Sequence, residues 1–320
     1  MDNNDIPEIQ LGRINHLRVV KKVDFGYYLE GLVRGHREEI LLPNGEVIPE
    51  LLSLTETPSP SGVSVPFEGN RKGFGGEASV FLYLDQQERL TATMHTPKAQ
   101  VGDFAYLEVA WVNNFGAFLD WGLQKDLFVP FREQKMKMQK GHSYIVHIHL
   151  DPESYRIMAS AKVEKWLATS DEIMHSSDRP RRGDEVDILI QQKTDLGFKV
   201  IVNPKVDSGL EAYPGLLYDT QVFRDLHTGD STRAYISKVR EDGKVDLSLT
   251  RPGHDGAVDF SEQLLQHIKD HNGFTHLCDK SPAEEIYSIF GVSKQVFKRA
   301  TGDLYRQRLI TIEPDGLRSV

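Results

Sequence analysis

An aromatic-Gly-x-aromatic core occurs in Val23-Asp24-Phe25-Gly26-Tyr27-Tyr28-Leu29 and again in Val112-Asn113-Asn114-Phe115-Gly116-Ala117-Phe118-Leu119-Asp120. A worn third copy, Lys193-Thr194-Asp195-Leu196-Gly197-Phe198-Lys199-Val200, has Leu196 and Lys199 in place of the two rings. Internal repetition constrains a fold more than any local propensity, because each copy must bury its own core in the same way. In the middle copy, Val109 to Val112 is apolar and strand-like and is stopped by two asparagines suited to a turn. Alternation resumes at Ala117, with Ala117, Leu119 and Trp121 on one side and Phe118 and Asp120 on the other. Phe115 and Phe118 are three apart, so a regular strand would send them to opposite faces. A bulge at Gly116 resets that parity and puts both rings on one outer face, a platform for nucleic-acid bases. The competing reading places one or both rings in the core.

The three copies are also alike downstream of this core. Ile40-Leu41-Leu42-Pro43, Leu127-Phe128-Val129-Pro130 and Gly215-Leu216-Leu217-Tyr218 are equivalent apolar segments. Hairpins then run from Tyr83 to Thr93, Tyr144 to Ser160 and Ala234 to Leu249, with returning strands Arg89-Leu90-Thr91, Arg156-Ile157-Met158 and Lys244-Val245-Asp246. About five short strands, repeated three times, predict three small Greek-key barrels. Pro43-Asn44-Gly45-Glu46 reads as a hairpin, Arg34 to Glu39 as a charged turn, Ser53 to Gly76 as a loop or weak strand pair, and Ala161 to Met174 as a helix. After Arg251-Pro252-Gly253 the pattern becomes helical. Asp259 and Glu262 suggest a capping box, Ser281-Pro282 and Gly291 bracket a second helix, and a third runs from Ser293 to about Arg308 before a hairpin around Pro314-Asp315-Gly316. Three helices and a hairpin make a winged helix.

Each repeat resembles the S-one RNA-binding domain, an OB-fold. The resemblance is strongest in the second, through Gly102-Asp103, Phe115-Gly116-Ala117-Phe118, Leu127-Phe128-Val129 and Gly141. Where that family often carries a histidine this chain has Pro43, Pro130 and Tyr218, so no histidine contact is carried over. Three such units before a winged helix resemble the conserved virulence factor B family. Phe290-Gly291-Val292-Ser293-Lys294-Gln295-Val296-Phe297-Lys298-Arg299-Ala300 is the most specific part, with Asn272-Gly273-Phe274 at the start of the module. The expected fold is mainly β and multidomain: three tandem S-one-like five-stranded OB barrels at residues 1–98, 99–168 and 179–252, a linker at 169–178, and an α+β winged helix at 255–320. The resemblance implies a non-catalytic protein that binds single-stranded RNA and regulates gene expression after transcription. The alternatives are a DNA-binding transcriptional regulator acting on duplex DNA, or a ribosome or RNA-decay adaptor.

Candidate RNA-binding residues are Phe25, Tyr28, Phe115, Phe118 and Tyr218 on the barrels, and Arg132, Lys135, Lys137 and Lys199 beside them. On the third helix of the winged module they are Lys294, Lys298 and Arg299, with Lys294, Lys298, Thr301 and Tyr305 on one face. Net charge is −9. Residues 1–98 carry −4, while 101–168 and 179–251 each sum to zero. Long-range steering of a polyanion should therefore be weak, and contacts local.

Several classes are excluded. A single cysteine, Cys278, leaves no intrachain disulfide and no cysteine zinc cluster. His147 and His149 stand two apart on one strand face with His142 nearby, but no third ligand is assigned by the pattern, so no metal or other cofactor is expected. Neither a P-loop, a zinc-protease helix nor a nucleophile elbow is present. The acidic N-terminus and the lack of a long apolar run point to the cytoplasm and to no membrane partner, and a monomer is expected.

Overall fold

A computed structural model describes residues 6–49, 53–56, 74–219, 222, 225–249 and 256–320. It divides into two compact units, Met1–Trp166 and Leu167–Val320.

The first unit holds two barrels. Strands β1 (Ile14–Val23), β2 (Gly26–Val33), β3 (His36–Pro43), β4 (Ser53–Glu56), β5 (Phe74–Leu84) and β6 (Leu90–Thr93) form the first. The order β1-β2-β3-β6-β5 closes through a β1–β5 pairing, and β4 extends the sheet beyond β5. The strand pair anticipated near Ser53 is thus present, while residues 57–73 lie outside the described set. The charged turn is shorter than expected. Arg34 and Gly35, at φ 52° and 77°, make a two-residue hairpin, and His36 to Glu39 are already strand. Asn44–Glu46 is a 3-10 turn rather than a hairpin. A hairpin would return the chain along β3, but that edge already carries β6 in parallel, Leu41 opposite Thr91.

The second barrel closes in the order β10-β11-β9-β8-β7, from β7 (Phe104–Val112), β8 (Gly116–Leu119), β9 (Leu127–Pro130), β10 (Ser143–Leu150) and β11 (Ile157–Ser160). The first barrel has its own core around Leu17, Leu29, Ile40 and Val80, and two residues of its β5 join the core of the second. Phe81 and Tyr83 of β5 pack with Leu107, Val109, Trp121 and Ile148, and the Phe81 and Trp121 rings meet edge to face at 5.5 Å. The expected helix after β11 is broken: Val163–Trp166 is 3-10 and Ser170–His175 (α1) is a separate helix. Thr169 restarts it as a capping box with Glu172, which competes with continuous helix through the same residues.

The second unit holds the third barrel, β12-β13-β14-β16-β15, from β12 (Glu185–Thr194), β13 (Gly197–Val202), β14 (Tyr213–Tyr218), β15 (Ser231–Val239) and β16 (Val245–Ser248). Three helices come next, α2 (Gly256–Asp270), α3 (Ala283–Phe290) and α4 (Lys294–Arg306), with a sheet of β17 (Phe274–Thr275), β18 (Ile310–Glu313) and β19 (Gly316–Ser319) in the order β17-β19-β18. Asp259 lies inside α2 rather than capping it. Gly291 ends α3 at φ 68°, and the Ser293 hydroxyl accepts from Val296 N to start α4, as the sequence signals. Phe260, Leu264, Ile268, Ile286, Phe297 and Leu304 form this module's core.

One constraint recurs in every barrel. A Cβ built on Gly116 would stand 2.2 Å from Val129 O, one on Gly26 2.3 Å from Leu42 O, and one on Gly197 2.2 Å from Leu217 O. The glycine of the repeated motif therefore lets the second strand close on the third, and the offending atom is backbone, which cannot swing away. Gly116→Ala should destabilise the first unit by about 1–3 kcal/mol through overpacking. Gly45→Ala, where a Cβ meets open space, should stay within about 0.5 kcal/mol. Urea unfolding of both variants checks this, and equal midpoints would contradict it.

Candidate nucleic-acid interface

The second barrel presents a row of rings that the sequence only half disclosed. Register along β7 slips between Val109 and Trp111, so the bulge lies at Ala110 and not at Gly116. The slip turns Trp111 to the outer side, opposite Phe118, which in turn pairs with Phe128 of β9. Trp111 and Phe118 stack at 3.7 Å with planes 3° apart, and Phe128 lies beyond at 4.9 Å. Asp126 Oδ2 accepts from Trp111 Nε1 at 2.7 Å and fixes the indole. Trp111 is 42% exposed, and Phe118 and Phe128 are half-buried. Phe115 is not on a strand at all. It sits 74% exposed on the turn that Asn113 closes by accepting from Phe115 N and Gly116 N. Neither ring of the motif is core, and Trp111 and Phe128 are the partners that sequence reading missed.

The same positions in the other barrels carry different chemistry. The first has Lys21, Tyr28 and Leu41 in register. Phe25 is 57% exposed and meets Tyr28 edge to face at 6.4 Å, with Lys21 Nζ 5.3 Å from the Tyr28 ring. The third has Gln192, Lys199 and Leu216, continued by Asp246. There Arg240 holds both oxygens of Asp246, at 2.9 and 2.7 Å, and donates to the Tyr218 hydroxyl. Tyr218 is thus half-buried in an ionic network, while Lys199 is exposed. Among the described residues the third barrel has no stacked row at these positions.

Basic residues flank the ring row. Phe131 N donates to Phe115 O, which joins the Phe115 turn to the 3-10 turn Phe131–Glu133 and the loop beyond it. On that loop Arg132 pairs with Asp151 at 3.3 Å and Lys135 with Glu164 at 2.6 Å. Lys137 is exposed and has no ion pair among the described residues. The Lys135–Glu164 pair is exposed on both sides and worth about 0–1 kcal/mol, so a phosphate can displace it, whereas the Asp151 partner of Arg132 is buried. On α4, Lys298 and Arg299 are exposed and Lys294 is half-buried. Thr301, expected on their face, is buried at the edge of the module's core beside Phe297, Ala300 and Leu304.

His147 and His149 lie under Trp166, whose ring stands 4.5 Å from each imidazole. No group of three or more metal-ligating side chains occurs among the described residues. Burial pushes His147 down to about 3, with the neighbouring His149 adding to the effect, and burial lowers His149 too. Among the described residues no helix is long and apolar enough to cross a membrane.

Against known proteins, residues 262–318 match the CvfB-like winged helix domain and residues 11–54 match the S1 domain, the latter on the first barrel. The chain is 26% identical over 298 residues to the Bacillus subtilis protein named YitL, covering 91% of this chain and 87% of that one. It is 25% identical over 252 residues to conserved virulence factor B of Staphylococcus aureus, covering 75% and 78%. A solved multidomain protein with nucleic acid binding domains from Streptococcus pneumoniae aligns over 97% of this chain and 98% of that chain, at 19% identity and a TM-score of 0.37. The resemblance to conserved virulence factor B therefore spans most of the chain. The S1 and winged-helix matches support nucleic-acid binding, and both domains are of binding rather than catalytic kinds.

The buried histidines give a pH dependence of definite sign. His147 is neutral in the fold, whereas an unfolded histidine titrates near about 6.5. Below that pH the unfolded chain takes up a proton the fold refuses, so the stabilisation is complete above about pH 7 and is lost as pH falls toward 3. Between pH 7 and 4.5 His147 alone should cost on the order of 2–3 kcal/mol. His147→Phe, which keeps an aromatic ring against Phe104 and Trp166, should lose correspondingly less stability over that interval in urea melts. Equal losses in both proteins would contradict the assignment.

Proposed function

We propose that this chain is a non-catalytic RNA-binding protein that holds single-stranded RNA on the second barrel and regulates gene expression after transcription. The observation that carries the proposal is the Trp111-Phe118-Phe128 row, with Phe115 exposed at its end. Every base has a π-face, so such a row accepts single strands with little sequence preference, whereas bases in a duplex are already stacked. Phe25 and Tyr28 offer a smaller ring pair with Lys21 beside it. Lys137, Arg132 and the displaceable Lys135 then track the phosphates, Lys199 and Tyr218 contribute on the third barrel, and Lys294, Lys298 and Arg299 contribute from α4. The S1 match favours RNA over DNA. The Staphylococcus aureus relative is named a conserved virulence factor, and a regulatory role belongs to the proposal. The protein acts in this reading as a cytoplasmic monomer of four modules, bounded near residues 98, 178 and 254.

Two measurements test it. Trp111→Ala and Phe118→Ala should each weaken binding of single-stranded RNA by about 1–3 kcal/mol, the usual worth of a stacked base. The salt dependence should keep its slope, since stacking releases no counterions. Unchanged affinity in both variants would refute the stacking role. In the second, single-stranded RNA is compared with duplex DNA of the same sequence. Tighter binding to the duplex, abolished by Lys298→Glu, would make the winged helix a DNA reader instead.

A further inference from the structure

Asparagine is followed by glycine twice in the chain, at Asn44-Gly45 just past β3 and at Asn272-Gly273 just past α2. In such a pair the chain attacks itself most readily, because glycine has no Cβ to keep its peptide nitrogen away from the preceding side-chain amide. The two pairs are built in opposite ways.

Asn272-Gly273 is the C-terminal cap of α2. Gly273 N donates to Ile268 O at 2.9 Å, and Gly273 O accepts from Ser319 N at 2.9 Å. Both residues are left-handed, at φ 58° and 78°, so the pair is pinned at its backbone and its nitrogen is engaged. Asn44-Gly45 lies instead in the 3-10 turn after β3, with both residues exposed. A Cβ on Gly45 would meet nothing within 4 Å, and among the described residues no hydrogen bond occupies Gly45 N. The turn is closed by a long bond, Val47 N to Asn44 O at 3.4 Å. Asn44 is anchored elsewhere: its backbone N donates to Phe25 O at 3.0 Å and its Nδ2 to Asp24 O at 2.7 Å. The side-chain amide is therefore held in place, while the nitrogen that attacks it is not.

We infer that Asn44 is a site of self-modification, converting to isoaspartate and aspartate and so cutting the tie between the β1–β2 turn and the end of β3. Gly45 N attacks Asn44 Cγ and gives up its proton. The N–Cγ bond forms, the Cγ–Nδ2 bond breaks, and Nδ2 leaves as ammonia with that proton. Water then opens the five-membered imide at either carbonyl. The nitrogen expelled is the one that donates to Asp24 O, so that bond is lost in both products. Opening at the former backbone carbonyl gives isoaspartate, which routes the main chain through Cβ and Cγ. The oxygen that closed the turn on Val47 N then belongs to a carboxylate. Val47 and Ile48 pack on the core of the first barrel, and Glu46 O accepts from Met94 N at 2.9 Å, so the altered turn is one the barrel leans on. The reaction needs no RNA and is independent of the binding reading.

The test ages the full chain in neutral buffer made with heavy-oxygen water, folded and in parallel in urea, and maps the peptides by mass spectrometry. Uptake of the label separates conversion during ageing from conversion during digestion. In the folded chain Asn44 should convert about tenfold faster than Asn272, whose cap must first give up its hydrogen bonds. In urea the two rates should converge. Gly45→Ala, which the open space admits, should bring the Asn44 rate down to that of Asn272 or below. Aged wild type should unfold at lower urea than fresh protein, and Gly45→Ala aged alike should not. Equal rates at the two sites in the folded chain, or conversion confined to Asn272 or to the urea sample, would overturn the site. Conversion at Asn44 with the urea midpoint unmoved would overturn the severed tie, as would an equal fall in Gly45→Ala.

Discussion

Gly26, Gly116 and Gly197 each lie so close to a carbonyl of the neighbouring strand that no side chain fits between them. That approach sets the register of the second strand on the third: Gly26 faces Pro43, Gly116 faces Pro130 and Gly197 faces Tyr218. With register fixed, the outer residue two places on is fixed as well, and it is Tyr28, Phe118 or Lys199. The first strand then completes the surface through a register slip at the same place in all three barrels, after Val19, Val109 and Ile190. A slip of one residue turns the next side chain outward. In the second barrel that side chain is Trp111, and a stacked row results.

The repeated glycine was legible in the sequence because its requirement is local and steric. So were the C-terminal cap of α3 at Gly291 and the N-terminal cap of α4, where the Ser293 hydroxyl accepts from Val296 N, whereas α3 starts at Pro282 with no side-chain cap from Ser281. The bulge was legible only as a need for a parity change. Its position at Ala110 depends on the partner strand, and alanine carries no mark of it. Trp111 and Phe128 therefore went unseen as partners of Phe118, although each is an ordinary strand aromatic by composition. The break between Val163–Trp166 and α1 was missed for a similar reason: Thr169 and Glu172 are good helix-capping residues, but periodicity alone runs straight through them. Charge was legible in total and not in placement. Lys135 and Arg132 read as free cations until Glu164 and Asp151 came into view.

Three barrels built on one constraint have thus acquired different outer surfaces. The first pairs Phe25 and Tyr28 with a nearby lysine, the second stacks three rings, and the third closes the position with an Arg240–Asp246 pair. Because the barrel fold needs only the inward residues and the glycine, the outward ones were free to diverge. In the proposed reading, a chain of net charge −9 attracts RNA weakly from a distance, so stacking at short range carries the recognition.

Photo-crosslinking of thiouridine-substituted single-stranded RNA to the full chain, with adducts located by mass spectrometry, tests the stacking surface most directly. Adducts are expected on Trp111, Phe115, Phe118 or Phe128, and they should diminish when unlabelled single-stranded RNA competes. Adducts confined to α4 and the wing hairpin, with none on β7 to β9, would contradict the account.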